Sequence, residues 1–156
     1  MHVPVEVRVL GPADTAPLRA LLAVFGAAFD ELETYTARQP DDAYLDALLA
    51  RDTFVAIAAF ADDAVVGGLA GYVLPKFEQA KAELYIYDLA VAESHRRLGL
   101  ATRMIEHLKH VAASRGADVI FVQADYGDQA AIELYTRLGR REDVMHFDIA
   151  VAGNGA

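Results

Sequence analysis

The stretch "LAVAESHRRLGLAT", Leu89 to Thr102, decides how this chain is read. An apolar run ends at Val91, and the amphipathic segment "MIEHLKHVAA" begins at Met104. Between them lie His95, Arg96, Arg97, Gly99 and Ala101, the composition of a loop that carries a strand into a helix. The start of a helix presents unpaired N–H groups and the positive end of its dipole, so it attracts anions. Gly99 lets an oxygen approach the backbone closely, Ala101 does not obstruct it, and the two arginines add charge. The predicted ligand is a phosphate or pyrophosphate. No Gly-Lys-Ser/Thr follows, as in a nucleotide-hydrolase P-loop, and the three-glycine dinucleotide fingerprint is missing. An ordinary helix start with two solvated arginines would give the same letters in isolation.

Working outward, "ADVIFVQA" after the helix is almost continuously apolar and predicts a central strand covered on both faces. Right-handed crossover then makes it a parallel neighbour of "AELYIYDLAV", residues 82–91. Upstream, "VEVRVL" alternates as a first strand. A helix follows, with Asp14 or Thr15 as N-cap and Leu18, Leu21, Leu22, Phe25 and Phe29 at helical spacing. "ELETYTARQPDD" reads as a polar connection, and "AYLDALLAR" as a helix capped by Asp41 or Asp42. "TFVAIAAF" and "AVVGGLAGYVL" form a hairpin about Asp62 and Asp63, and Gly67, Gly68 and Gly71 in it suggest a bulge or close packing. Gly116 ends the helix that follows the arginine loop. Downstream, "DYGDQ" is a loop, "AAIELYTRL" a short helix ended by Gly139, "DVMHFDIAV" a closing strand and "VAGNGA" a frayed tail. The predicted fold is α/β around a mixed sheet.

The 156 residues, 54% of them hydrophobic, fit a single domain spanning 1–156. A net charge of -9 and a pI near 4.9 argue against nucleic acid, whose phosphates need a basic stripe, and favour a cationic small molecule. No cysteine is present, which removes thiol nucleophiles and cysteine-ligated zinc and fits a cytoplasmic location. Glu6 and Arg8 interrupt the N-terminal apolar alternation, so it does not read as a signal peptide, and no apolar run reaches the roughly 18 residues of a membrane span. His107 and His110 share a helix face without a third ligand, so no metal site is expected.

Arg96, Gly99 and Ala101 occupy the three defining positions of Arg/Gln-x-x-Gly-x-Gly/Ala, and "LAVAESHRRLGLAT" resembles the coenzyme A pyrophosphate loop of the GNAT acetyltransferases. "AIELYTRLG" is similar to the helix that in this superfamily carries a tyrosine beside the cofactor sulfur. "TYTARQPDDAYL", "YVLPKFEQ", "ELYIYDLAV", "VQADYGD" and "EDVMHFDI" resemble the type I aminoglycoside 3-N-acetyltransferases. The resemblance implies the GNAT fold: a mixed, mostly antiparallel sheet with a splayed, parallel fourth and fifth strand, flanked by helices. It also implies acetyl transfer from acetyl-CoA to the 3-amino group of the 2-deoxystreptamine ring of gentamicin-type antibiotics, and so antibiotic resistance. An acetyltransferase of another small cation such as a polyamine, or a coenzyme A-binding regulatory module without turnover, is the alternative.

Residue by residue, the resemblance places the pantetheine arm along Leu89, Ala90 and Val91. It places the pyrophosphate on Arg96, Arg97, Leu98, Gly99, Leu100, Ala101 and Thr102. Tyr135 becomes the general acid for the leaving thiolate, against the alternative of a core tyrosine between Leu134 and Leu138. Asp88 is the candidate base, since a carboxylate in "IYDLAV" is costly unless paired or useful. Strict alternation would put Asp88 in the core with Leu84 and Ile86. The resembling superfamily splays and bulges its strand here, which implies a bulge near Tyr87 to Leu89 that turns Asp88 toward the cleft. Glu83 is the rival, and either could act through water. Glu31, Glu33, Tyr87, Asp125, Tyr126 and Asp128 are candidates for binding the cationic substrate. Members of the resembling family are commonly dimeric, which allows a homodimer with "MHFDIAV" at the boundary.

Overall fold

The computed structural model describes residues 3–152, so the end of the tail expected to fray lies outside the described residues. The chain divides into two compact units, Met1–Gln123 and Ala124–Ala156.

The first unit is built on a five-stranded sheet in the order β1 (Val5–Val9), β2 (Phe54–Ala61), β3 (Ala64–Pro75), β4 (Ala82–Val91), β5 (Ala117–Val122). The first four strands are antiparallel neighbours, and β4 and β5 are parallel. This is the α/β mixed sheet that the crossover rule predicts. Alternation on β2 sends Phe54, Ala56, Ala58 and Phe60 into one cluster with Leu18, Leu21 and Phe25 of α1 (Thr15–Ala28) and Leu45 and Leu49 of α3 (Asp42–Leu49). The odd residues Val55 and Ile57 are equally buried and point to the other face. There α4 (Leu100–Ser114) packs on the sheet, with Leu100, Met104, Ile105, Leu108 and Ala112 as its buried stripe.

Three elements differ from the sequence reading. The "polar connection" contains a one-turn helix, α2 (Leu32–Thr36), with no buried residue of its own. It lies close against α1: a Cβ on Gly26 would come 2.9 Å from Leu32 Cα and 3.2 Å from Tyr35 Cβ. Second, β5 is not central. It pairs only with β4 among the described residues, and Val119 is 45% exposed. An apolar run specifies a strand but not how many neighbours it has.

The third difference lies in the Ala124–Ala156 unit. Its helix α5 (Gln129–Leu138) starts at Asp128, whose carboxylate accepts from the Ala131 N–H, and it ends at Gly139 as expected. The closing strand expected over 143–151 is absent: no described residue beyond Gly139 is helical or in a strand. Val144, Met145, Phe147, Ile149 and Val151 are exposed there. Alternation gives a segment two faces, but a strand also needs a ladder partner.

Candidate active site

Strand β4 organises the site. Its first half, through Ile86, is held on both sides, by β3 and by β5. From Tyr87 to Val91 it keeps only β3, because the β5 register ends at Ile86↔Val122. Among the described residues no strand pairs with the other edge of Leu89, Ala90 and Val91, so that edge can accept an extended ligand arm by strand-like hydrogen bonding.

The bulge expected near Asp88 is present. In the β3–β4 register Gly71 faces Ile86 and Ala70 faces Asp88, which leaves Tyr87 as the extra residue. The consequence is the predicted change of face. Leu84 and Ile86 are buried, whereas Asp88 is half-buried and sits on the side of Ala90 and α1–α2. There the Tyr35 hydroxyl donates to Asp88 Oδ2 at 2.9 Å. The Tyr35 ring is fixed by Phe25 and Phe29, with centroids 6.1 and 5.9 Å away. Burial pushes the Asp88 carboxyl above its ordinary value, the Tyr35 hydrogen bond opposes that, and the nearby Glu31 carboxylate adds to it. Burial and the Asp88 charge push Tyr35 far up, so its phenol stays a donor.

An aromatic row lines the same face. Tyr87 lies 5.8 Å from Tyr72 and 6.1 Å from Tyr85, and Tyr85 stacks on Phe121 at 4.8 Å. Tyr87 is 61% exposed, open to a ligand. Glu31, the N-cap of α2, and Glu33 in its first turn are the acidic residues nearest in the chain to Tyr35. Glu83 lies at the other end of β4, paired with Leu74 and Val119. Five residues of strand put it roughly 17 Å from Asp88, too far for the two to share one acceptor nitrogen.

Beyond β4 the chain makes a short 3-10 turn (Glu93–His95) and reaches α4 through Arg97 and Gly99, both with positive φ, 64° and 76°. Gly99 is the N-cap of α4, and no side chain caps that end. The first N–H groups of the helix, at Leu100, Ala101 and Thr102, are therefore free to bind an anion. Arg96 Nε donates to the Val91 carbonyl at 3.0 Å, which ties the loop to the end of β4.

The Ala124–Ala156 unit holds the remaining candidates. Asp128 is occupied as the α5 cap, a structural task that the acidic-loop reading did not foresee. Tyr126 is exposed and donates a long hydrogen bond, 3.4 Å, to Asp143, while the Arg141 guanidinium covers its ring. Asp125 is exposed. Tyr135 lies on α5, and burial together with the Asp128 charge pushes its phenol up to about 12. It holds its proton throughout the neutral range.

A parallel β4–β5 pair that parts beyond Ile86, with a glycine-capped helix start after β4, is the architecture of an acyl-coenzyme A-binding transferase. The profile of the Acetyltransferase (GNAT) family matches residues 20–139, and the chain belongs to that family. A crystal structure of an aminoglycoside acetyltransferase, HMB0005, from an uncultured soil metagenomic sample superposes with a TM-score of 0.93. Its identity is 53%, over 96% of this chain and 99% of that one. A second, meta-AAC0020 from a soil metagenomic sample in complex with sisomicin, has a TM-score of 0.86 and 29% identity, over 94% and 96% of the two chains. The "Probable N-acetyltransferase san" of Drosophila melanogaster is 34% identical over 100 residues, 64% of this chain and 52% of its own length. The chain thus spans about half the length of that curated relative.

Proposed function

We propose that this protein transfers the acetyl group of acetyl-CoA to the 3-amino group of the 2-deoxystreptamine ring of gentamicin-type aminoglycosides. Acetylation removes a positive charge from the drug, which is how it would confer resistance. The observation that carries the reading is the bulge at Tyr87, which sets a half-buried carboxylate beside the unpaired edge of β4. The similarity to aminoglycoside acetyltransferases, one of them in complex with sisomicin, supports the choice of substrate.

The residues divide the work as follows. Leu89, Ala90 and Val91 hold the pantetheine arm along the open edge, and the backbone N–H groups that face this edge polarise the thioester carbonyl. Leu98 to Thr102, with Arg96 and Arg97, hold the pyrophosphate. Asp88 attracts the ammonium form of the acceptor and takes its proton, directly or through one water, before the nitrogen attacks. Its raised affinity for protons makes it a better base than an ordinary carboxylate. Glu33, Tyr87, Asp125 and Tyr126 contribute to binding the polycationic substrate. Tyr135 steadies the leaving thiolate. A phenol at about 12 does not surrender its proton outright to a thiolate of ordinary basicity, about 8.5. Its contribution is a hydrogen bond that strengthens as charge develops on sulfur.

The test is thiol release from acetyl-CoA with gentamicin, kanamycin, spermidine and a lysine peptide as acceptors, followed by nuclear magnetic resonance of the product. Release with the aminoglycosides and a single 3-N-acetyl product is expected. Release only with spermidine, or acetylation at the 6′-amino group, overturns the substrate assignment. Assembly belongs to the same proposal: the exposed apolar residues of 144–151 suit a second copy of the chain, and light scattering should give a dimer mass. A monomer at high concentration contradicts that part.

A further inference from the structure

We propose that Tyr35 is a positioning residue for the Asp88 carboxylate, holding one oxygen so that the other faces the acceptor amine. The inference rests on the functional reading above and names the residue on which its base depends. Tyr35 and Asp88 are 53 positions apart and meet at 2.9 Å, Oη to Oδ2. Two features make that meeting a built one. The Tyr35 ring is clamped in a triangle with Phe25 and Phe29, themselves stacked 5.9 Å apart. The turn carrying it is drawn onto α1 at Gly26, where any larger residue would strike Leu32 and the Tyr35 Cβ. The bulge at Tyr87 then delivers Asp88 to the hydroxyl.

The groups around Asp88 leave Tyr35 without a rival. Glu31, from the turn before α2, repels the carboxylate. Tyr72 of β3 and Tyr85 and Tyr87 of β4 make no side-chain hydrogen bond to it among the described residues. No arginine or lysine pairs with Asp88 among those residues. A half-buried carboxylate beside another acid is pushed toward its protonated form and has no fixed rotamer of its own. The Tyr35 hydroxyl opposes both tendencies, because its hydrogen bond favours the charged form in one orientation.

The experiment uses the full chain, with Tyr35→Phe, Asp88→Asn and the double variant. Phenylalanine keeps the aromatic triangle, so the melting temperature should change little. The first readout is carbon-13 resonance titration of the Asp88 carboxyl without substrate. In Tyr35→Phe that carboxyl should titrate at higher pH than in the wild type. The second readout is turnover of gentamicin with acetyl-CoA. The kcat should fall roughly tenfold, the worth of one hydrogen bond to a charged group, with acetyl-CoA affinity unchanged. The acidic limb of the kcat/KM profile should move upward with the carboxyl. In the Asp88→Asn background, Tyr35→Phe should cost nothing further. An unmoved Asp88 titration, normal kcat in Tyr35→Phe, or additive losses in the double variant overturns the proposal. Failure of the wild type to acetylate gentamicin would instead sink the substrate reading, and the titration would still decide whether Tyr35 governs Asp88.

Discussion

Replacing Gly71 by alanine tests whether the bulge is packed as described. An ideal Cβ at Gly71 would lie 2.8 Å from the Tyr85 carbonyl oxygen and 3.0 Å from Leu84 Cδ2. The leucine methyl can rotate away, but the carbonyl belongs to the adjacent strand and can yield only if β3 and β4 separate. Overpacking of this kind costs about 1–3 kcal/mol. The alanine recovers about 0.4–1 kcal/mol by restricting the unfolded chain. A net loss of about 1–2 kcal/mol lowers Tm by roughly 2–8 °C in a domain of this size. Because Gly71 pairs with Ile86, one residue before the bulge, separating the strands there also displaces Asp88 from Tyr35. Turnover should therefore drop while acetyl-CoA affinity holds. The assay is a thermal melt beside steady-state kinetics. Gly127→Ala serves as control, since a Cβ there meets nothing within 4 Å and its φ is not in the left-handed region. If Gly71→Ala melts with the wild type and turns over normally, the close approach of β3 and β4 at the bulge is wrong.

Gly99→Asp should weaken acetyl-CoA binding, measured by calorimetry, more than Arg96→Ala does. It puts a negative charge and a strained left-handed residue into the anion cradle, whereas Arg96 mainly ties the loop to Val91. Unchanged affinity in both variants removes the cradle. Tyr135→Phe should keep its fold by circular dichroism and lose turnover by roughly tenfold to a hundredfold, the worth of one hydrogen bond to developing charge; near-normal kcat would hand its task to water. Burial holds the Asp88 carboxyl above its ordinary value, so the folded chain keeps a proton that the unfolded chain releases as pH rises. The stability from that difference is present below the ordinary carboxyl range, about pH 4, and is lost as pH rises through the folded value. Asp88→Asn should accordingly melt above the wild type at pH 7, with the gap closing in acid. A gap independent of pH contradicts the assignment.

The elements legible in the sequence were those whose signals are local. Asp41 caps α3 through the Tyr44 N–H, and the hairpin turns at Asp62 and Asp63. Asp14 was legible only in part: it opens α1, but its carboxylate pairs with Arg8 and the Gly11 N–H instead of capping. Asp88 stood out because a charge inside an apolar strand demands a reason, and the bulge that turns it outward was implied by the family resemblance. Tyr35 did not stand out. It lies in a polar stretch whose single helical turn buries nothing, and its partner is 53 residues away. The end position of β5 and the unpaired segment after Gly139 were illegible for a related reason, since strand neighbours are chosen by tertiary structure and leave no period in the chain.

The most direct test of the chemistry proposed here is single-turnover acetylation of gentamicin by Asp88→Asn at saturating acetyl-CoA, beside the wild type. Asparagine keeps the shape and can still accept the Tyr35 hydrogen bond, but it cannot take a proton. A rate lower by roughly a hundredfold to ten-thousandfold, with acetyl-CoA affinity unchanged, is the predicted result. A normal rate would contradict it and place the base elsewhere than on Asp88.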